Sequence, residues 1–282
     1  HCEKVNQKNL ITYFEITTAA ALMAFQDHPA DFLILEVGLG GRFDATNIIR
    51  GKKYSLITPI SMDHQDYLGN SLSKIAFEKL SIFNNKSINF INYQKPTVKR
   101  FAKDFINKKK MYAQFAGVDW KIRNQLYIDQ DHKINLKYLS LKGYHQFDNA
   151  GLAIAAVKSI LKKQFDSNLV ENALPKIRWA GRLQKIESGK LTKVIHKYDS
   201  IFLDGFHNTD GVKVFINNLK GKNNFLICSF LINKNYKNIL KLLEPYFKKI
   251  FVTPMEEENS IQVVNVNKTT KINTSSGLLK SI

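Results

Sequence analysis

Three places in this 282-residue chain gather side chains that can do chemistry. Glu36 closes an apolar run and is followed by Gly38, Gly40 and Gly41. Asp63 and His64 follow a second apolar run, and Asp204, His207 and Asn208 follow a third. Acidic and imidazole groups beside glycines suit metal and phosphate binding, because glycine lets backbone amides come close to a ligand. Glu36 and His64 together offer an oxygen and a nitrogen donor to one divalent ion, Mg2+ or Mn2+ where a nucleotide is bound. The same residues have a structural alternative, in which Glu36 pairs with Arg42 and His64 caps the turn after it.

The runs that carry these residues read as strands. Phe32 to Val37 is a short continuous apolar run closed by glycines, the pattern of a buried parallel strand. Tyr54 to Ile60 is a second strand. Helices are expected over Thr17–Gln26, over Ser71–Phe83 with Ser71 as N-cap, and over Gln146–Lys163. Trp120 to Leu141 alternates apolar and polar residues about a polar turn at Asp129–His132, a hairpin pattern. A second alternating series begins near Arg182. Its strands are Leu183–Glu187, Ser200–Leu203, Phe225–Phe230 and Ile250–Thr253, and its helices Gly211–Leu219 and Tyr236–Leu243. From Glu256 the chain turns polar and is expected to be poorly ordered. The fold class is α/β with mainly parallel sheets, in two domains, 1–180 and 181–282. In such sheets ligands sit beyond the carboxyl ends of strands, where all three clusters fall.

Composition narrows the function. Net charge is +18, from 42 basic and 24 acidic residues, a field that attracts polyanions such as ATP, a polyglutamate tail or nucleic acid. Only six of the basic residues are arginines, and the lysines are spread along the chain, so specific nucleic-acid reading is not expected. No run is long and apolar enough to span a bilayer, and the first residues carry no secretory pattern, so a cytoplasmic protein is expected. Cys2 and Cys228 are read as two reduced thiols rather than one disulfide.

A longer series of strings makes the reading specific. Glu36-Val-Gly-Leu-Gly-Gly-Arg-Phe-Asp-Ala-Thr-Asn47 resembles the signature of the folylpolyglutamate and dihydrofolate synthases, within the Mur ligase superfamily. Thr12-Tyr-Phe-Glu15 stands upstream. Asp63-His64, Tyr67-Leu-Gly69 and Ile75-Ala-Phe-Glu-Lys79 stand downstream, followed by His145-Gln146 with Asn149-Ala150, Ala180-Gly-Arg182, and Asp204-Gly-Phe-His-Asn208. The resemblance runs from about Ile11 to Thr253.

The resemblance implies an ATP-dependent ligase that joins L-glutamate to dihydropteroate or a reduced folate through an acyl phosphate, with ATP as substrate and Mg2+ as cofactor. It implies Glu36 and His64 as metal ligands, and Lys79 as a lysine carbamylated to support a second metal. Asn149, Arg182, Asp204 and His207 fall to the nucleotide. Thr12, Tyr13, Phe14, Glu15, Phe43, Asp44 and Ala45 fall to the pterin. The sequence departs from the family at Leu80-Ser81, Ala180, Phe206, Thr209, Asn233 and Asn235. Two other readings stand beside the ligase: another Mur-type amino-acid ligase, and a non-catalytic protein that binds polyanions.

The family's Gly-rich phosphate loop, ending in Gly-Lys-Ser/Thr, has no counterpart here: Gly38–Gly41 lacks the Lys-Ser, and Gly221-Lys222 is followed by Asn223. The resemblance therefore implies an incomplete central nucleotide-binding domain with a small hairpin region, then a smaller α/β domain also cut short. A separate N-terminal polypeptide is an expected partner. An exposed sheet edge, marginal stability and no turnover by the chain alone are the consequences.

Overall fold

The computed structural model describes residues 1–193, 195, 200–219, 221, 223–257, 259–262, 266 and 269–274. The chain divides into two compact units. The first is His1–Ile122, Ile128–Asp131 and Gly151–Phe165. The second is Arg123–Tyr127, His132–Ala150 and Asp166–Ile282.

The first unit opens with α1 (Cys2–Asn6) and α2 (Tyr13–Asp27). Helix α2 starts a turn earlier than the expected Thr17, because Thr12 and Glu15 close a capping box. The Thr12 hydroxyl accepts from the Glu15 amide at 3.2 Å, and the Glu15 carboxylate accepts from the Thr12 amide at 2.8 Å.

The strand expected over Phe32–Val37 does not form. The segment makes no backbone hydrogen bond among the described residues, and Phe32, Leu33 and Ile34 are 60%, 44% and 90% exposed. Apolar composition marks a segment that burial would stabilise. A strand also needs a ladder neighbour, and no described residue supplies one.

Next come β1 (Tyr54–Ile57), α3 (Gln65–Leu68), α4 (Leu72–Leu80), β2 (Ile88–Ile91), α5 (Pro96–Lys109) and β3 (Ala113–Phe115). The three strands form a parallel sheet in the order β1-β2-β3. Ser71 caps α4 as expected, its side chain accepting from the Lys74 amide at 3.3 Å. Pro96 starts α5 where a missing N–H costs nothing. Val98, Ala102 and Ile106, four residues apart, share its buried face and join Ile57, Ile75, Leu80 and Ile91 in the core.

The expected hairpin is three short strands, β4 (Lys121–Arg123), β5 (Leu126–Ile128) and β6 (Lys133–Asn135), in sheet order. The polar turn at Asp129–His132 lies between the last two. A second turn, at Asn124-Gln125, has both residues at positive φ, and its plain composition hid it from the sequence. Helix α6 (Tyr144–Leu161) follows.

The second unit continues with α7 (Ser167–Ala173), β7 (Gln184–Ile186), β8 (Ile201–Leu203), α8 (Thr209–Ile216), β9 (Phe225–Cys228), α9 (Tyr236–Leu243), β10 (Lys249–Val252) and β11 (Ile272–Thr274). Strands β9, β10 and β11 pair in parallel, and β7 pairs with β8 antiparallel. Val212, Phe215, Ile239, Leu243 and Ile250 lie at the core of this unit.

The described residues after Glu256 depart from the expected disorder, and the rest of that stretch lies outside the described residues. Where it is described, Ile261, Val266 and Ile272 are buried and β11 extends the sheet. Polar neighbours masked these widely spaced apolar anchors. Both cysteines are free. Among the described residues no helix is long and apolar enough to cross a membrane.

Candidate functional site

The glycine turn of the first unit is tied by Asp44. Its Oδ2 accepts from the amides of Gly38 and Leu39, both at 2.9 Å. Its Oδ1 accepts from the Thr46 amide at 2.9 Å and the Thr46 hydroxyl at 2.6 Å. Asp44 thereby caps the 3-10 turn Ala45–Ile48. Gly40 has φ +66, and a Cβ there would stand 2.8 Å from Leu68. A Cβ at Gly38 would stand 2.5 Å from the Phe14 ring. Arg42 pairs with Glu78 at 3.0 Å rather than with Glu36, and its guanidinium lies over the rings of Phe43 and Phe77.

Between α2 and this turn lies a cavity of about 410 Å³, lined by Glu15, Thr18, Leu22, Phe43, Asp44 and Ile48, among others. That is within the range of about 300–1,000 Å³ usual for small-molecule sites. Of the residues expected at a pterin, Glu15, Phe43, Asp44 and Ala45 line it. Thr12 is spent on the helix cap, Tyr13 faces outward, and Phe14 covers Gly38.

The other polar candidates of this unit stand at the carboxyl end of β1. The Gln94 side chain braces the loop there, its Oε1 accepting from the Ile60 amide and its Nε2 donating to the Thr58 carbonyl, both at 2.9 Å. Beyond the brace, Asp63 accepts from the His64 amide at 2.9 Å. His64 itself is half-buried in the left-handed conformation at φ +51, where few residues other than glycine are held without surrounding support.

Glu36 is exposed at the end of its unpaired segment. Lys79 is half-buried in α4, with its Cα 3.2 Å from where a Cβ on Gly41 would lie. Burial lowers its pKa, and the charges of Asp63 and Asp44 oppose the shift. Leu80 points into the core and Ser81 donates to the Phe77 carbonyl at 2.6 Å, so neither crowds Lys79.

In the second unit, Arg182 and Asp204 lie on two segments that are clipped together. The Gly205 amide donates to the Gly181 carbonyl at 2.9 Å, and Asp204 accepts from the amides of Leu183 at 2.8 Å and Phe206 at 2.9 Å. Arg182 is exposed. His207 is exposed, with Nδ1 3.1 Å from the Gly205 carbonyl, and Asn208 caps α8. Phe206 packs on Phe215 at 4.8 Å between ring centroids, against the core of this unit. Asn149 stands one turn into α6 and donates to Gln146 at 3.3 Å.

The Mur ligase middle domain family matches residues 2–157, more than half of the chain. The chain is 32% identical over 266 residues to the dihydrofolate synthase/folylpolyglutamate synthase of Mycobacterium tuberculosis. That alignment covers 85% of this chain and 52% of the relative. It is 30% identical to the Bacillus subtilis protein of the same name, over 83% of this chain and 56% of that one. The crystal structure of Mycobacterium tuberculosis folylpolyglutamate synthase complexed with ADP and AMPPCP superposes on 99% of the chain with a TM-score of 0.86, at 26% identity and over 66% of its own length.

The chain belongs to the folylpolyglutamate/dihydrofolate synthase family of Mur ligases. It spans about half the length of the curated relatives it matches.

One residue of the second unit, His145, stands beside these candidates although the sequence pattern does not single it out. The ring of His145 packs over Gly143, where a Cβ would stand 2.6 Å from the imidazole. Its Nδ1 is buried without a hydrogen-bond partner among the described residues. Burial lowers its pKa; the Asp204 charge opposes that and Arg182 adds to it, so the imidazole is within electrostatic reach of both. A lone histidine at a helix start carries no such signal in sequence. Only the fold brings it to Asp204 and Arg182.

Proposed function

We propose that this Mur ligase chain carries nucleotide and pterin sites of an ATP-dependent ligase that adds L-glutamate to dihydropteroate or a reduced folate in the cytoplasm. The observation that carries the reading is the cavity of the first unit. Two motifs far apart in sequence, at Glu15 and at Phe43–Ala45, line one space of ligand size, in a chain of this family. Phe43 offers a flat apolar face to a ring system, and Glu15 a fixed carboxylate to its polar edge.

In the reaction, a substrate carboxylate oxygen attacks the γ-phosphorus of ATP, giving an acyl phosphate and ADP. The amine of glutamate then attacks the acyl carbon, an amide forms, and inorganic phosphate leaves. Such chemistry depends on positioning and on neutralising charge. Exposed Arg182 offers a fork of donors to phosphate oxygens. Asp204, held by two backbone amides, offers its remaining lone pairs to a ribose hydroxyl. Asn149 can donate to and accept from an adenine edge.

In this reading the donors to Mg2+ are the exposed Glu36 carboxylate and the imidazole of His64, whose backbone is held at φ +51. Mg2+ bound by Glu36 and His64 would neutralise phosphate charge. The lowered pKa of Lys79 raises its share of neutral amine, the form that adds CO2 to become a carbamate.

The test is calorimetry of Mg2+·ATP on the chain, on Arg182→Ala and on Glu36→Ala/His64→Ala. Micromolar binding that weakens at least tenfold in each variant, about 1.4 kcal/mol, is the expected result. A folded chain with no nucleotide affinity, or one whose affinity ignores both variants, overturns the reading.

A further inference from the structure

One arginine clasps the glycine turn of the first unit to the end of α4. The Arg42 amide donates to the Glu78 carbonyl at 3.0 Å, and the Arg42 guanidinium meets the Glu78 carboxylate at 3.0 Å. Glycine permits so close an approach: a Cβ on Gly41 would stand 2.8 Å from the Glu78 carbonyl oxygen. The same guanidinium lies 4.2 Å from the ring centre of Phe43 and 5.1 Å from that of Phe77. Phe77 in turn meets Phe105 of α5 edge to face at 6.0 Å, and Phe105 stacks on Phe101 at 6.5 Å. A line of contacts therefore runs from Phe43, in the wall of the cavity, to the two helices that carry the core of this unit.

Phe43 is 83% exposed, so packing does little to fix its ring. A ring that swings between rotamers must be ordered when a ligand stacks on it, at a cost in affinity. Arg42 covers one face of that ring. An ion pair at the surface would hold the arginine only weakly. Here three attachments act together: the Glu78 carboxylate, on a side chain that is 19% exposed, and the two aromatic rings. Arg42 and Phe43 line the cavity and Glu78 stands outside it, so an effect of the Glu78 charge on a bound ring passes through Arg42.

We propose that Glu78 is a positioning residue for the cavity: acting through Arg42, it fixes the Phe43 ring with one face covered and the other left to a flat ligand. The proposal rests on the reading of the cavity as the pterin site, and its test separates the two.

Glu78→Gln keeps the shape of the side chain and the main-chain bond from Arg42, and removes the charge that holds the guanidinium. 4-Fluorophenylalanine placed at position 43 reports on the ring with no ligand present. Its fluorine resonance is expected to shift or broaden in Glu78→Gln while the thermal melt stays in place. Arg42→Met, which removes the guanidinium and keeps an apolar stem, is expected to move the resonance likewise. Calorimetry with dihydropteroate, without nucleotide, is expected to show binding about fivefold weaker in Glu78→Gln and roughly tenfold weaker in Phe43→Ala. In the Phe43→Ala background, Glu78→Gln is expected to cost less than about twofold more, because the ring through which it acts is gone. A glutamate that merely braced the turn would weaken binding equally in both backgrounds, and that result overturns the proposal. So does a fluorine resonance that ignores both Glu78→Gln and Arg42→Met. A resonance that moves in a chain that does not bind dihydropteroate, or binds it regardless of Phe43, overturns the reading of the cavity as the pterin site and, with it, the positioning role.

Discussion

Asp148, beside Asn149 in α6, shows how burial alone sets a charge. Its carboxyl is pushed up to about 6 by loss of solvent, from an ordinary value near 3.8. The folded state then binds more protons than the unfolded chain between about pH 4 and 6, so stability is full below that window and is lost as pH rises through the folded value. Asp148→Asn removes the cost of ionising a half-buried carboxyl. Thermal melts are expected to show the variant melting higher than the parent at pH 7.5, with the gap closing by pH 4.5. A gap of equal size at both values would mean that the substitution acts through packing. The same local accounting separates residues that structure uses from residues free for a ligand. All four hydrogen bonds that the Asp44 carboxylate accepts from described residues serve its own loop, whereas Arg182 has its fork exposed.

The capping box at Thr12 decides where α2 begins, and it belongs to the scale of elements. Thr12→Ala removes the hydroxyl that satisfies the Glu15 amide, at a cost of about 1 kcal/mol typical of a lost N-cap. Amide exchange over residues 13–17 is expected to speed up about fivefold, and Thr12→Ser to restore it. Unchanged exchange in the alanine variant would show that the helix start is held by something else. The box is legible in Thr-Tyr-Phe-Glu as a threonine followed three residues later by glutamate, but the alanine-rich stretch that follows carries the stronger helix propensity and draws the expected start to Thr17. Periodicity located α4 and α9 well, because each carries one apolar face against a core of its own unit. It failed at Phe32–Val37 for a physical reason: an apolar run states a demand for burial, and no described residue supplies the ladder neighbour that a strand needs. The glycine turn was recognisable as a turn from its residue types, yet the cavity beside it depends on α2 packing over that turn, a tertiary fact that no local pattern carries.

At the scale of the whole molecule the two units are differently furnished. The second has a continuous core from Leu183 to Ile272 around a three-stranded parallel sheet. The first has a three-stranded sheet whose β1 edge pairs with no strand among the described residues, and a helix, α2, with no buried residue. Hydrophobic burial is the main favourable term in folding, so the first unit is expected to unfold at the lower denaturant concentration. The chain holds two tryptophans, and they divide between the units. Trp120, 2% exposed, belongs to the first, and Trp179, 63% exposed, to the second. An exposed indole emits in the folded state much as it does unfolded, so the red shift on excitation at 295 nm reports almost wholly on Trp120 and hence on the first unit. Far-ultraviolet circular dichroism reports on the helices of both. In urea the fluorescence midpoint is therefore expected below the circular dichroism midpoint, the mark of a transition that is not two-state. Trp179→Phe should leave the fluorescence midpoint in place, whereas Trp120→Phe should remove most of the red shift. Coincident midpoints by the two probes would show that the units unfold together, and that the uncovered face of the first does not set its stability.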